Sequence, residues 1–424
     1  MKPSSSLLMR GRTLPLLFLA ACSGSTPDES PTSAPSPEPT ETLVPVETPP
    51  VTPTATVKPE PTPTFAPTPT PGPFPECRSV AGDAGGLVIG LEAGARLINN
   101  VTPLTTLGYT WDLALSADGR WVYESFMGAL YRSEDAGCTF RQVRNLPSNR
   151  FKALLLDPAN RQRLLMYAYD NPELVSTDDG ETFTLSTVSW EGETPTGVVS
   201  MSLDPLDALH VRAVTAEGRL IHSRDGGATW EPLGEKNGYL STPIVTMAAF
   251  NPDDPTEVVL ATGFDGLIKG SSDGATWTRL EEGLRSPDTP AETPLVGVFV
   301  AYSPADPSVL YTVVSDPDRE PSRGLFYSDD AGLRFTELLR DDEQGVALTG
   351  GTRLFPDPVQ PYQLYTWFGT YFQDVYTDLY RLEVEGASVT VNTQRFSFPD
   401  LYGFAFHPLD ETLLYLGRVN DAPN

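Results

Sequence analysis

An all-β fold of repeated antiparallel units is what the sequence predicts, and three observations predict it. The first is a turn of the form S-x-D-x-G-x-T-[WF], met at Ser223 to Trp230 as Ser-Arg-Asp-Gly-Gly-Ala-Thr-Trp. The second is that this turn recurs at near-regular spacing. The third is a proline turn joining two apolar strands, which recurs along with it.

Each residue type in the turn has a local job. A serine hydroxyl and an aspartate carboxylate accept hydrogen bonds from their own turn's N–H groups. Gly227 can take a positive φ at little steric cost, and Trp230 carries a large apolar face into a core. Further copies begin at Ser133 (with Asp135, Gly137, Phe140), Ser176 (with Asp178, Gly180, Phe183) and Ser328 (with Asp330, Gly332, Phe335). The copy beginning at Gly270 keeps Gly274 and Trp277 and moves its aspartate by one place. Weaker copies begin at Gly90 and Leu382, so the starts fall at 90, 133, 176, 223, 270, 328 and 382. A period of this size, with about four strands in each unit, predicts a seven-bladed β-propeller of four-stranded antiparallel blades.

The turns resemble the Asp-box (BNR) repeats of sialidases, sortilin-type domains, two-propeller xyloglucanases and the photosystem II assembly-factor family. The resemblance covers roughly 86 to 418. It implies the propeller fold and a structural role for the boxes, away from any ligand.

The chain begins with Lys2, Arg10 and Arg12, then an apolar run from Leu14 to Ala21 that ends in Leu-Ala-Ala-Cys. A basic region, an apolar segment and small residues predict a secretory signal over 1–21. The sequence around Cys22 resembles a bacterial lipobox, which implies lipid on that thiol; a plain signal with an incidental cysteine is the alternative. Ser23 in place of aspartate points to an outer-membrane or cell-surface lipoprotein. Residues 26 to 75 hold 17 of the 42 prolines, mixed with Thr, Ser, Glu and Ala. Such a segment buries too little apolar surface to offset its ordering entropy, so 22–76 is expected to be an extended Pro/Thr-rich linker and 77–424 the propeller.

The formal charge of the whole chain is −27, and 1–21 carries three positives and no acids, which leaves −30. A chain so acidic repels nucleic acid and anionic lipid. Its expected membrane contact is therefore the lipid on Cys22. Cys77 and Cys138 remain, and in an exported protein an even pair predicts a disulfide, with two free or buried thiols as the alternative.

Within a repeat the expected order is strand A, a proline turn such as Leu156-Asp157-Pro158 or Phe250-Asn251-Pro252, strands B and C, the box, and strand D. The last unit has only A and B, and the first only C and D, around Leu87 to Leu97. Together they are expected to complete the seventh blade and close the ring.

The D–A and B–C loops then share one face, where a ligand is expected. The candidates there are Trp190, Tyr239, Arg319, Tyr371, Phe372 and Asp374, a set suited to a glycan or a protein. His222 shares its place in the repeat with Arg132, Val175, Lys269 and Tyr327 and reads as a tolerant strand position. His210 reads as part of a strand B, and His407 as part of a proline turn. No metal, cofactor or catalytic motif is found, nor the Arg-Ile-Pro motif through which sialidases grip a carboxylate. The sequence therefore predicts a binding or scaffold propeller. A glycoside hydrolase with non-standard carboxylates and an assembly factor for a membrane complex are the alternatives.

Overall fold

The computed structural model describes residues 87–89 and 108–420, apart from 138, 148–152, 158–159, 169–170, 172, 205–206, 208, 235–239, 241, 243, 255–256, 272–273, 349–351, 371–375, 397–399 and 410–413. Contacts divide the chain into 1–68 and 69–424, and every described residue lies in the second unit. Cys22, Cys77, Cys138 and the boundary at 76/77 lie outside the described residues.

The fold is an all-β propeller with four-stranded antiparallel blades. Five sheets stand separately, each built from four consecutive strands in the expected order. They are β6–β9 (Ala153–Leu156, Arg163–Tyr167, Glu173–Asp178, Thr182–Thr187) and β10–β13 (Val198–Leu203, Val211–Thr215, Leu220–Ser223, Glu231–Pro232). Next come β14–β17 (Val245–Phe250, Glu257–Thr262, Gly266–Ser271, Trp277–Leu280) and β18–β21 (Val296–Tyr302, Leu310–Ser315, Arg323–Ser328, Thr336–Arg340). The fifth is β22–β25 (Phe355–Pro356, Gln363–Thr370, Tyr376–Glu385, Ser388–Phe396).

Seven separate sheets are not what the structure holds. The other seven strands form one sheet: β1 (Leu87–Ile89), β2 (Gly108–Leu115), β3 (Val122–Phe126), β4 (Ala129–Ser133), β5 (Arg141–Asn145), β26 (Asp400–Phe406) and β27 (Leu414–Asn420). The physical reason is that β27 pairs with three strands, β26 along one edge (Phe404↔Leu416) and β1 followed by β2 along the other (Val88↔Leu416, Tyr109↔Val419). The outer strand expected to follow β1 falls in 90–107, outside the described residues.

Most of the repeated turns are built as their residue types require. Ser223 Oγ accepts the N–H of Gly227 at 2.7 Å and donates to Asp225 Oδ1 at 2.8 Å. Asp225 in turn accepts the N–H and the hydroxyl of Thr229 at 2.8 and 2.6 Å. The turns at Ser133 and Ser328 repeat the serine bonds with Gly137 and Gly332 at 2.8 and 2.9 Å. Each of these turns places two successive residues at positive φ: Ala136–Gly137, Gly226–Gly227 and Ala331–Gly332. The second of each pair is always glycine, which meets this demand without Cβ strain.

Two copies depart from the pattern. Asp178 ends β8, exposed and paired with Thr182, so the ladder runs on into the turn. The side chain of Ser176 lies outside the described residues. In the copy at Gly270 the serine role passes to Ser271, whose Oγ accepts the N–H of Thr276 at 3.1 Å.

The aromatic that closes each turn enters the packing between blades. Phe140, Trp230 and Phe335 are 8%, 5% and 2% exposed, whereas Phe183 and Trp277 are half-buried. Trp230 packs with Leu165, Tyr167, Val188 and Ile221, and its Nε1 donates to Gly227 O at 3.2 Å.

At two of the turns the strand position just before them reaches the next blade. Arg132 Nη1 donates to Asp179 O at 2.9 Å, and Lys269 Nζ donates to Ala331 O at 3.0 Å. Both acceptors are positive-φ residues in the turn of the following blade, so the same position bolts neighbouring blades together with different side chains. His222 has another partner. Its Nδ1 lies 3.1 Å from His210 Nε2, and His210 Nδ1 lies 2.9 Å from Asp204 Oδ2. His210 precedes β11 in the proline turn and is not inside strand B. Burial, the neighbouring His210 and Arg224 hold His222 below the usual imidazole range.

Inner strands are also laced to one another. Ser200 Oγ donates to Ala248 O at 2.6 Å, Thr246 Oγ1 to Gly297 O at 2.7 Å, and Leu154 N to Asp112 Oδ2 at 2.8 Å. The seam between β26–β27 and β2–β5 has its own lock. Tyr415 Oη donates to Ala136 O at 3.1 Å, and the His407 ring stacks on Tyr415 at 6.2 Å. Gly119, at φ 69°, lies so close that an added Cβ would sit 2.1 Å from His407 Nε2.

Candidate functional site

The D–A and B–C connections share one face, and the predicted residues meet different fates there. Trp190 closes a tight turn with Glu193, in which Glu191 and Gly192 have φ of 46° and 83°. The turn folds the indole inward, so Trp190 is 9% exposed among Val188, Val198 and Trp230. It belongs to the core and not to an open aromatic surface. Arg319 donates to Glu337 Oε2 at 2.8 Å, and the same carboxylate takes Arg340 at 2.8 Å, so its charge is already partnered. Tyr239, Tyr371, Phe372 and Asp374 lie outside the described residues. Their neighbours Tyr365, Trp367 and Tyr380 are 6%, 8% and 1% exposed, and Trp367 stacks on Phe355 at 5.0 Å.

The inner strands bring together a cluster that sequence reasoning missed. Asp112 sits at an irregularity in β2, where the register with β3 shifts between Thr110 and Asp112. Asp400 opens β26, and Arg353 lies in the D–A connection just before β22. The charge of Arg353 acts on both carboxyls, and its Nη1 donates to Tyr402 O at 3.2 Å. The rings of Trp111 and Tyr402 lie 5.0 Å apart at 39°. These five residues gather on β2, β26 and the connection just before β22.

Asp112 is half-buried. Burial pushes its carboxyl up to about 6, against the pull of the Leu154 and Leu113 N–H groups and of Arg353. Asp400 is raised by the same burial, opposed by Leu401 N–H, Arg353 and the Trp367 indole. A carboxyl that titrates near 6, as Asp112 does, is partly protonated just below neutrality and can then both donate and accept hydrogen bonds. With one arginine and two aromatic faces, the cluster suits polar neutral or cationic groups. No group of three metal-ligating side chains occurs among the described residues. The available signal was an aspartate within two residues of an aromatic in an inner strand, in Thr110-Trp111-Asp112 and again in Asp400-Leu401-Tyr402.

The raised carboxyl gives a direct expectation. An acid whose folded pKa exceeds its unfolded value of about 4 favours folding in its neutral form. That contribution is present below about pH 4 and is lost as pH rises through about 6. A carboxyl ¹³C titration should therefore show a midpoint near 6 that vanishes in Asp112→Asn. A midpoint at the ordinary value would show a fully solvated carboxyl.

The fold and this cluster define an all-β propeller with titratable, aromatic-flanked inner strands. No protein-family profile matches the chain. Among characterised proteins, it is 31% identical over 356 residues to the dispase autolysis-inducing protein of Streptomyces mobaraensis, covering 81% of this chain and 88% of that one. The chain belongs to that protein's family. It is also 27% identical over 191 residues to a probable oligoxyloglucan-reducing end-specific xyloglucanase of Neosartorya fischeri. That match covers 40% of this chain and 21% of the enzyme, so the chain spans about a fifth of that relative's length. The solved structure of YCF48 bound to D1 peptide is similar in fold, with a TM-score of 0.50 and 15% identity over 82% of this chain and 100% of that one.

Proposed function

We propose that this chain is an exported, lipid-anchored binding propeller that holds a protein on its loop face and promotes that partner's self-cleavage. The observation that carries the reading is the likeness, along most of both chains, to a protein whose name says it induces autolysis of dispase. A propeller can do this without supplying a nucleophile, by binding the cleavable conformer of a protease more tightly than the intact one. It then shifts the population toward that conformer. The acidic balance of the chain favours neutral or basic surfaces on the partner.

The remaining parts of the proposal fit this role. The ring has seven blades, the seventh built on β26, β27 and β1, supported by the pairing of β1 with β27. The repeated turns are Asp-boxes, supported by the shared serine and aspartate hydrogen bonds. Lipid on Cys22 and the Pro/Thr-rich linker hold the propeller off an outer membrane or cell surface, and Cys77 bonds Cys138.

Two experiments test the reading. The purified chain, mixed with dispase, should shorten the lifetime of the intact protease several-fold, followed by gel and by residual peptidase activity. An unchanged lifetime would sink the proposal. Release of sugar from xyloglucan oligosaccharides, lost on Asp112→Asn, would favour the glycosidase alternative instead. For anchoring, Cys22→Ser should leave export intact and move the protein from the membrane fraction to the soluble one. Persistent membrane fractionation would place the attachment elsewhere.

A further inference from the structure

A pocket of about 370 Å³ opens on the loop face beside β14–β17, between the β15–β16 turn and the connection leading to β18. Its floor is apolar, formed in part by Leu280 and Leu295 at 5% and 3% exposure. At its rim Phe264 is 45% exposed. The wall is braced. Arg285 Nη1 donates to Pro290 O and Thr293 O at 2.7 and 2.8 Å, and Thr289 Oγ1 donates to Asp316 Oδ2 of the next blade at 2.6 Å.

The charges of the pocket are unevenly committed. Asp265, with 1% of its side chain exposed, is paired with Arg279, and the carbonyls just named hold Arg285. Asp265 offsets the charge of Arg279, which is itself 48% exposed, whereas the carbonyls hold Arg285 in place without cancelling its charge. Glu292 is exposed, and Glu281 is 51% exposed with Arg279 no nearer than 3.9 Å, the outer limit of an ion pair. What faces an incoming group is some apolar surface, an aromatic edge, the Asp265-paired Arg279 and two carboxylates, so that with Arg285 the lining keeps one negative charge in excess.

We infer that this pocket takes a lysine or arginine side chain of the partner protein, an inference that rests on the protein-binding reading above. The aliphatic stem of such a side chain lies along apolar surface while its charged head stays at the rim. The head meets Glu281 and Glu292 there, and a cation near Phe264 gains from the ring face. An acidic side chain would meet like charge, and a short polar one would leave the floor uncovered. The strongly negative charge of the whole chain steers the same class of surface toward this face.

The test uses the full chain and fluorescein-labelled Ala-Ala-Lys-Ala-Ala, followed by anisotropy, beside the same peptide with norleucine or glutamate at the centre. The lysine peptide should bind about tenfold more tightly than the norleucine one, and the glutamate peptide should not bind. Glu281→Gln with Glu292→Gln should erase the lysine preference. Phe264→Ala should weaken the lysine and norleucine peptides alike. Removing two charges elsewhere, by Glu385→Gln with Asp253→Asn, should leave the preference intact. Equal binding of lysine and norleucine, or a preference that survives the first double variant, overturns the inference. If the preference holds but dispase is not affected, the protease reading fails and the pocket stands. If dispase is cleaved with no lysine preference, the pocket alone fails.

Discussion

Deleting residues 400–424 is expected to abolish cooperative folding. The deletion takes away β26 and β27, and with them Leu401, Phe404, Leu414, Tyr415 and Leu416, all 5% exposed or less. At about 1.5–3 kcal/mol for each buried side chain, the lost burial is on the order of 10 kcal/mol, as large as the whole stability of a typical domain. What remains would also suffer. Tyr365, Trp367 and Leu379 lose the partners that cover them, as do Leu113, Val122 and Phe140 on the other side. A urea melt read by intrinsic fluorescence should show a broad transition or none. An unchanged midpoint would mean that the two strands do not hold the seam.

Trp230→Ala should be the most damaging point change among the repeated turns. It opens a cavity among Leu165, Tyr167, Val188 and Trp190, for which about 3–5 kcal/mol is the usual loss. Ser223→Ala removes less volume. It leaves the buried N–H of Gly227 without its acceptor, a loss of about 1–3 kcal/mol. The two melts should therefore be clearly separated at neutral pH, and equal shifts would mean that the indole is not the interface plug described.

Acid should act on this turn as well. The Thr229 hydroxyl, with the Thr229 N–H, Ser223 and the Ala228 N–H, holds the Asp225 carboxyl down to about 2. A depressed acid contributes stability above its unfolded value of about 4 and loses it as pH falls through about 2. Since Asp225 is exposed, solvent screening keeps that contribution small.

How much of this was legible in the sequence depended on whether a function was local. The turn at Ser223 closes within eight residues, so its serine, aspartate and glycine roles could be read from residue type alone. The buried aromatics Phe140 and Phe335 followed from the same local frame. Asp112, Arg353 and Asp400 meet only because the inner strands return on themselves, and each looks unremarkable where it stands. Arg132 and Lys269 share one task across blade interfaces, yet their difference in type suggested tolerance. Trp190 misled in the opposite way: a tryptophan beside Glu191-Gly192 suggests an exposed loop, but two successive positive-φ residues turn its ring into the core. The histidine pair was hidden because β11 and β12 set His210 and His222 side by side through a register that spacing does not specify.

The seam also sets an order of events in time. Leu87 pairs with Gly417, and Tyr109 with Val419, across more than 300 residues of intervening chain. Each of the five separate sheets, by contrast, closes within a few dozen residues. Loop-closure entropy grows only slowly with length, but long-range pairing of this kind is slow to form. During synthesis the separate sheets can form one after another, while β1 and β2 wait for a partner strand more than 300 residues further along the chain. Until β27 arrives, the edges of β1 and β2 stand open to other chains. The interval before that strand docks is therefore when this protein is most exposed to misassociation.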